Sequence, residues 1–324
     1  MHNLLDPAIL FFIFGVLAGL AKSNLEIPPA ISRFLSLYLL MALGLKGGFA
    51  LAHSGLSSQI GLSLGAAVLL AVVIPLAGFA VLRKLIGGFD AAAIAATYGS
   101  VSAVTFLTAT QYLEFQGIAY GGHMAAAMAL MESPAIIMAV VLANRLRKPT
   151  GISETQTAGA QTSIGKILHE SFTDGAQLLL LGAMAIGLIT GESGKAAMQP
   201  FSGDLFKGML SFFLLDMGLM AARNLPQLKG KSVVLLAYAV LAPIAHASLA
   251  LGLAWVLGLP TGESALLMVL AASASYIAVP AVLRYAVPEA NPSLYFGLSL
   301  GVTFPLNILV GIPVYTAIAH QVLG

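Results

Sequence analysis

The residues of this sequence that could take part in chemistry are hydroxyl side chains inside apolar segments. Residues 97–110, TYGSVSAVTFLTAT, carry six serines and threonines, and residues 271–280, AASASYIAVP, form a second stretch of this kind. Such hydroxyls can donate hydrogen bonds to an anion or offer oxygen to a cation such as Na⁺. They also commonly join transmembrane helices to one another, which is the better interpretation for any single one. The two stretches taken together favour a binding site.

Two acidic residues also lie within apolar segments. Glu132 directly precedes Ser133 and Pro134, and Asp216 lies in the stretch FFLLDMGLM. Because an ionised carboxylate inside a membrane is costly, such a residue is by default functional or paired. We interpret Glu132 as a ligand for Na⁺ or a proton; the alternatives are a neutral, hydrogen-bonded acid and an acid exposed in an aqueous crevice. Asp216 is a second candidate ion ligand or a partner for a cation.

The composition of the chain indicates that these side chains lie in a membrane. The sequence is 59% hydrophobic and 9% charged, with a mean hydropathy of +0.94, whereas a soluble domain carries about 25% charged residues. It has no cysteine, its histidines show no metal-ligand spacing, and it has no P-loop, HExxH or GxSxG motif. We therefore predict that it is not an enzyme and has neither a cofactor nor a transition-metal site. It also lacks a basic cluster with interleaved aromatics, which argues against nucleic acid as a partner.

The apolar runs predict an all-α membrane protein with ten transmembrane helices, since one span takes about 20 residues. The N-terminus lacks the positive region of a signal peptide, so we expect the first run to be retained. The predicted spans are 7–22, 28–47, 59–83, 90–112, 122–144, 168–190, 205–223, 232–258, 263–285 and 293–320. A polar segment at 147–167 reads as a linker. It divides the chain into a first five-helix unit, residues 1–146, and a second, residues 168–324.

Lysine and arginine are distributed unevenly between the two sides that ten helices define. Of the 15, three fall on one side, at Lys46, Lys195 and Lys207. The other twelve fall on the opposite side, at Lys22, Arg33, Arg83, Lys84, Arg145, Arg147, Lys148, Lys166, Arg223, Lys229, Lys231 and Arg284. Because cytoplasmic loops carry the excess of positive charge, the linker is predicted to be cytoplasmic and both termini to lie outside.

The two five-helix units resemble each other in sequence. An offset of 173 residues, or nearly so, relates several pairs: Asp90 and Glu263, Ser100 and Ser273, Ser102 and Ser275, Tyr112 and Tyr285, Gly44 and Gly218, Pro134 and Pro305, and Glu132 and Thr303. Since five is an odd number, the second unit must enter the membrane the opposite way up. A 5+5 inverted repeat of this kind is typical of secondary transporters.

The repeat puts the two hydroxyl-rich stretches in helices 4 and 9, which we predict to be broken and to cross at the midplane. Broken helices leave backbone groups unpaired, which is tolerated only where they line a cavity or are buried in protein. The N-terminus of a half-helix offers free N–H groups and a partial positive charge to an anion. The predicted substrate-binding residues are Gly99, Ser100, Ser102, Thr105, Ser273 and Ser275. The predicted ligands of a coupling Na⁺ or proton are Glu132, Ser102, Ser273, Thr303, Asn307 and Asp216.

These residues carry a resemblance to a known family. The chain resembles the sodium-dependent bicarbonate permeases of cyanobacteria and their wider bacterial relatives from GLKGG to GIPVY, most clearly in GSVSAVT, MESPAIIMAVVLAN, APIAH, AASASYIAVPAVLR and EANPSLYFG. The resemblance implies a Na⁺/bicarbonate symporter of the bacterial inner membrane, assembled as a trimer within lipid. Its anion and Na⁺ would lie between the two broken helices. Binding of a PII-like cytoplasmic regulator is left open.

The chain departs from that family pattern within the expected site. Ala103 and Val104 replace a Gly-Ser pair, Glu132 replaces an aspartate, and Tyr276 stands where the cyanobacterial transporters have aspartate. The changes at Ala103, Val104 and Tyr276 remove oxygen ligands, whereas Glu132 keeps the carboxylate and adds a methylene. Three alternatives to bicarbonate symport therefore stay open. The same fold could carry another small organic anion, or it could exchange Na⁺ for H⁺ with Glu132 as the proton site. The chain could also be a non-transporting membrane sensor or scaffold that binds an anion.

Overall fold

The computed structural model describes residues 6–55, 57–147, 175–228 and 230–324, and these residues form helices joined by short connections, with no strand among them. The predicted linker 147–167 lies outside the described residues, apart from Arg147. The helices are α1 Pro7–Leu20, α2 Pro29–Ser54, α3 Ser58–Leu82, α4 Gly88–Gly99, α5 Ala103–Gln116, α6 Met124–Leu146, α7 Gly175–Met198, α8 Phe206–Asn224, α9 Val233–Leu257, α10 Thr261–Ala272, α11 Ala278–Ala286 and α12 Pro292–Leu323.

By length and composition, seven helical stretches of the described chain could cross a membrane. This number is smaller than the ten predicted spans for identifiable reasons. The range Gly175–Asn224 contains both α7 and α8, which are joined by a π-helical turn, Gln199–Asp204. The stretch Gly88–Gln116, which contains α4 and α5, corresponds to the single predicted span 90–112 and leaves the number unchanged. Helices α1 and α10 are apolar but short.

Two of the predicted spans are interrupted. Helix α4 ends at Gly99, and Ser102 caps α5 because its side chain accepts a hydrogen bond from the Thr105 amide. Helix α10 ends at Ala272, and the Ser273 hydroxyl donates to the Leu270 carbonyl at 2.8 Å. Side chains that bond nearby backbone in this way compete with continued helix. The breaks therefore follow from the serines themselves.

Helices α1, α2, α7 and α8 form one bundle, in which α1 crosses α8 and α2 crosses α7 at close range. A β-carbon at Gly218 would collide with the Phe12 carbonyl, and one at Gly48 would collide with the Met184 carbonyl. Small residues at such positions let transmembrane helices approach closely. The close crossings therefore hold α1 against α8 and α2 against α7.

The remaining helices, α3 to α6 and α9 to α12, form a second bundle that contains both breaks. Its core holds Tyr98, whose hydroxyl lies 2.6 Å from Thr303 Oγ1, and Thr303 in turn donates to the Ala239 carbonyl at 2.8 Å. Helix α12 widens into π-helical turns at Ser299–Thr303 and Asn307–Gly311. Turns of this type often mark functional positions in helices.

Polar contacts define the two ends of the molecule. At the end we call the Arg147 end, the Arg147 guanidinium binds Glu289 at 2.8 Å, and Lys231 Nζ donates to Ser293. At the opposite end, which we call the Lys46 end, Lys46 forms an ion pair with Glu114 at 3.0 Å. Helices α6 and α11 finish at the Arg147 end, whereas α5 finishes at the Lys46 end.

Candidate functional site

The two helix breaks lie against each other in the second bundle. The Ser102 amide donates to Ser273 Oγ at 3.0 Å, and the Ser275 amide donates to the Thr97 carbonyl at 2.9 Å. Each break thus satisfies a buried amide with an acceptor from the other half of the chain, as buried backbone groups require. Residues about 170 positions apart in sequence therefore form one junction.

A central cavity of about 270 Å³ lies at this junction and extends toward the Arg147 end. It is lined by both breaks together with α2, α6 and α7, so both bundles contribute to its wall. Its polar lining consists of Ser36, Ser102, Glu132, Gln177, Ser275 and Tyr276. Its apolar lining includes Leu40, Val101, Ala103, Val104, Met128, Ala129, Ile136, Leu180, Ile277, Ala281 and Val282.

Helix α5 begins in the lining of this cavity. The first amides of an α-helix have no partner within the helix, and in the described chain no hydrogen bond is made by the amides of Ala103 and Val104 at the start of α5. The 14-residue α5 adds the partial positive charge of its N-terminus. Ala103 and Val104 both belong to the lining of the cavity, so α5 begins at the cavity wall.

The acidic wall of the cavity lies on α6 and α7. Glu132 is partly exposed to the cavity, and its carboxylate accepts a hydrogen bond of 2.7 Å from the Gln177 side chain. Gln177 is itself buried. This carboxylate lies in the same cavity as the free amides, which gives the cavity one wall suited to a cation and one suited to an anion.

Three of the predicted substrate-binding residues brace the junction instead of lining the cavity. Gly99 packs against the Pro75 ring, where a β-carbon would not fit. Thr105 donates its hydroxyl to Ser102 Oγ at 2.9 Å, and Ser273 holds the Ser102 amide. The Ser100 hydroxyl is buried and has no hydrogen-bond partner in the described chain, and Ser100 does not line the cavity either. Only Ser102 and Ser275 of the six predicted residues line it.

The predicted ion ligands are distributed over several places. Glu132 and Ser102 lie in the cavity wall, whereas Thr303 is fully buried between Tyr98 and Ala239. The Asn307 amide donates to the Ala272 carbonyl at 2.8 Å and so closes the free end of α10. Asp216 lies on α8, near Ser32 and outside the cavity lining. A role for these outer residues in ion binding stays a prediction.

Two polar side chains of the structure, Gln177 and Glu263, were not predicted from the sequence as site residues. Gln177 is a polar side chain that directly precedes an apolar run near the start of α7. This position in the sequence is the signal that could have identified it. Glu263 is buried beside α3, where its carboxylate accepts from Ser63 at 2.8 Å and lies 3.4 Å from His123 Nε2. The internal repeat, which pairs Glu263 with Asp90, is the sequence signal that could have identified Glu263. The described residues contain no group of three or more side chains that could hold a metal ion.

A wide vestibule of about 730 Å³ lies at the Lys46 end. Lys46, Glu114, Tyr120 and Phe106 contribute to its lining, and the Tyr120 hydroxyl donates to Glu114 at 3.0 Å. Phe106 is less than one helical turn from Ala103, which lines the central cavity. The first turn of α5 therefore separates the two spaces, one toward each end of the molecule.

Comparison with known proteins identifies the family of this chain. A search of curated proteins returned no significant match. A family model described as the Na⁺-dependent bicarbonate transporter superfamily matches residues 7–320, nearly the whole chain. Together with the apolar helices, this makes the chain a multi-pass membrane protein of a transporter family. The chain belongs to the Na⁺-dependent bicarbonate transporter superfamily.

Proposed function

We propose that this protein is a secondary active transporter that carries Na⁺ and a small anion together across the membrane. Bicarbonate, which the family description names, is the leading substrate and the first to test. The observation that carries the proposal is the central cavity, in which free amides at a helix N-terminus share one space with the Glu132 carboxylate. The anion and the cation would each meet complementary groups there.

The anion half of the proposal rests on α5. Helix N-termini bind anions because their unpaired amides and their dipole favour negative charge. The amides of Ala103 and Val104 are available, and the hydroxyls of Ser102 and Ser275 lie in the same lining. Gly99, Thr105 and Ser273 would act by supporting the break.

The Na⁺ half rests on the charge of Glu132. An anion that enters the cavity meets a carboxylate in the same space, and like charges in a confined space disfavour binding. A Na⁺ ion near Glu132 would remove this repulsion, and carboxylate, hydroxyl and amide oxygens are suitable hard ligands. Binding of one ion would then favour binding of the other, which is the thermodynamic basis of symport.

Alternating access would come from movement of one bundle against the other. The central cavity and the wide vestibule reach toward opposite ends, and the first turn of α5 lies between them. The Lys46–Glu114 ion pair joins the two bundles at one end. We further propose ten membrane segments as a 5+5 inverted repeat, with the Arg147 end cytoplasmic because most lysines and arginines lie there.

Uptake of labelled bicarbonate into liposomes that contain the purified protein tests this proposal. We expect uptake that rises with an inward Na⁺ gradient and stops when Na⁺ is replaced by choline at equal ionic strength. Liposomes without protein control for leakage of dissolved carbon dioxide. Uptake that ignores Na⁺ would refute Na⁺-coupled symport of bicarbonate.

Two other functions would give different results in the same liposomes. Exchange of Na⁺ for H⁺ is favoured by the presence of a carboxylate in the cavity, and it predicts that a Na⁺ gradient changes the internal pH without any added anion. A sensor or scaffold predicts anion binding without flux. The trimeric assembly and the PII-like regulator remain expectations from the family resemblance.

A further inference from the structure

The last turn of α5 contacts two lysines of the first bundle. Lys46 of α2 lies 3.0 and 3.1 Å from the two carboxylate oxygens of Glu114. Lys207 of α8 lies 5.4 Å from the centroid of the Phe115 ring, which is within the range of a cation–π contact. Because α2 and α8 belong to the first bundle and α5 to the second, these lysines join the two bundles at the Lys46 end.

Each partner of the Lys46–Glu114 ion pair is also held within its own bundle. The Lys46 Nζ lies 4.3 Å from the centroid of the Phe206 ring of α8. On the other side of the pair, the Tyr120 hydroxyl donates to Glu114 at 3.0 Å. An exposed ion pair contributes little when two free side chains must be ordered to form it. Here both side chains have a second contact, so less freedom is lost when the pair forms.

The backbones of the two bundles also touch beside this ion pair. A β-carbon at Gly122, in the connection between α5 and α6, would lie 2.3 Å from the Gly47 carbonyl oxygen. Gly47 directly follows Lys46 in α2. A movement of the bundles that breaks this backbone contact therefore also separates Lys46 from Glu114.

The inverted repeat gives this ion pair no charged counterpart. At the offsets of the neighbouring repeat pairs, Lys46 corresponds to Met220 and Glu114 corresponds to Val287. Met220 lies in α8 of the first bundle, and Val287 directly follows α11 of the second. The axis that relates two inverted halves lies in the membrane plane, so it exchanges the two ends of the molecule. A charged contact that is present at one end and apolar at the equivalent positions of the other favours one of two conformations.

We propose that the Lys46–Glu114 ion pair is a latch that favours the conformation in which the central cavity extends toward the Arg147 end. The pair breaks when the bundles move, and Met220 and Val287 cannot replace it in the opposite conformation. The two side chains line the vestibule and are 25% and 37% exposed, so dissolved ions can screen the latch. The inference rests on the proposed alternating access and inverted repeat, and it concerns their regulation.

The distance between two spin labels on the purified full chain tests the latch. The sequence contains no cysteine, so labels would attach only to introduced ones. Ala197→Cys places a label at the exposed end of α7 in the first bundle, and Ser58→Cys places one at the exposed start of α3 in the second. Loss of the latch should raise the ratio of a second distance to the first about two- to fivefold, the range for exposed ion pairs.

Matched variants assign the change in distance to the ion pair. Lys46→Gln and Glu114→Gln should each raise the ratio, and the two together should raise it no further, because each change alone already breaks the pair. Lys195→Gln is the control, because it removes a lysine of the same vestibule whose partner, Glu192, lies in the same helix at 3.7 Å. It should leave the ratio unchanged.

Salt provides a second measurement that a purely structural role of Lys46 would not affect. Choline chloride at about 1 M, where the Debye length is about 3 Å, should raise the ratio in the wild type and leave it unchanged in Lys46→Gln. Equal effects of Lys46→Gln and Lys195→Gln would overturn the latch. Additive effects of Lys46→Gln and Glu114→Gln, or distances that never change, would overturn it as well.

Na⁺-driven uptake of bicarbonate into liposomes separates the latch from the proposed transport function. Uptake by the wild type, together with unchanged distances in Lys46→Gln and Glu114→Gln, would overturn the latch and leave transport intact. The predicted changes in distance without any uptake by the wild type would support the latch and refute bicarbonate transport.

Discussion

Replacement of Glu132 by glutamine provides the sharpest test of how the cavity couples two ions. The change removes the negative charge, keeps the shape of the side chain, and retains an oxygen that can accept from Gln177, which donates to Glu132 at 2.7 Å. If Na⁺ acts by neutralising Glu132, the glutamine variant should behave toward the anion like the Na⁺-loaded wild type. Its anion affinity should be high without Na⁺ and should no longer depend on Na⁺.

The size of the effect follows from the cavity. A sphere of 270 Å³ is about 8 Å across, and two unit charges at that separation repel by about 2 kcal/mol at an effective dielectric constant of about 20. Since 1.4 kcal/mol corresponds to about a factor of ten, Glu132→Gln should raise anion affinity in the absence of Na⁺ about 30-fold. In the wild type, Na⁺ should produce a gain of similar size.

Calorimetric titration of the anion with and without Na⁺, at equal ionic strength with choline, measures both effects. The control is Glu192→Gln, which removes a carboxylate from the exposed end of α7 and should leave affinity and Na⁺ dependence unchanged. A glutamine variant that keeps the Na⁺ dependence of the wild type would refute neutralisation at Glu132. Weaker anion binding in both conditions would instead indicate a protonated Glu132 that donates to the anion.

Three further predictions concern other parts of the molecule. Ser273→Ala removes the acceptor of the Ser102 amide, so we expect a loss of about 1–3 kcal/mol in stability, seen as a lower melting temperature in detergent; an unchanged value would mean that the junction does not depend on this bond. The Arg147 guanidinium lowers the pKa of Glu289 in the folded protein. The ion pair therefore stabilises the fold fully at pH values above the pKa of an unfolded glutamate, about 4.3. This stabilisation is lost as the pH falls through the lower pKa of Glu289 in the folded protein. Melting temperatures of Glu289→Gln and wild type should accordingly differ at neutral pH and converge in acid, and a constant difference would contradict the pair. Asp216→Asn should leave the Na⁺ dependence of anion binding intact, because Asp216 lies outside the cavity lining, and a loss would move the ion site to α8.

Much of the helical arrangement could be predicted because hydrophobic length reports directly on burial in a membrane. Helix ends were harder to predict. The predicted span 28–47 stops seven residues short of the end of α2 at Ser54, because Gly48, which follows this span directly, weakens a helix as Gly44 does. In the structure these glycines pack against α7, and this tertiary contact outweighs their low propensity.

The candidate site could be predicted only in part, because chain position does not reveal which face of a broken helix meets a cavity. Ser102, Ser275 and Glu132 were expected in the site, and they line the cavity. Gly99 has the residue type of a ligand-approach position, but the approach is made by Pro75 from α3. Gln177 could not be placed beside Glu132 without the packing of α7 against α6.

The central claim is that Na⁺ and an anion cross the membrane together, and labelled Na⁺ uptake driven only by an anion gradient tests it most directly. Liposomes that contain the protein would receive equal Na⁺ on both sides and a gradient of bicarbonate, with a membrane-impermeant anion as the counter-ion on the opposite side. We expect labelled Na⁺ to accumulate on the side toward which the anion flows, and Glu132→Gln to abolish this accumulation. A Na⁺ distribution that stays equal under the bicarbonate gradient would contradict Na⁺-coupled symport.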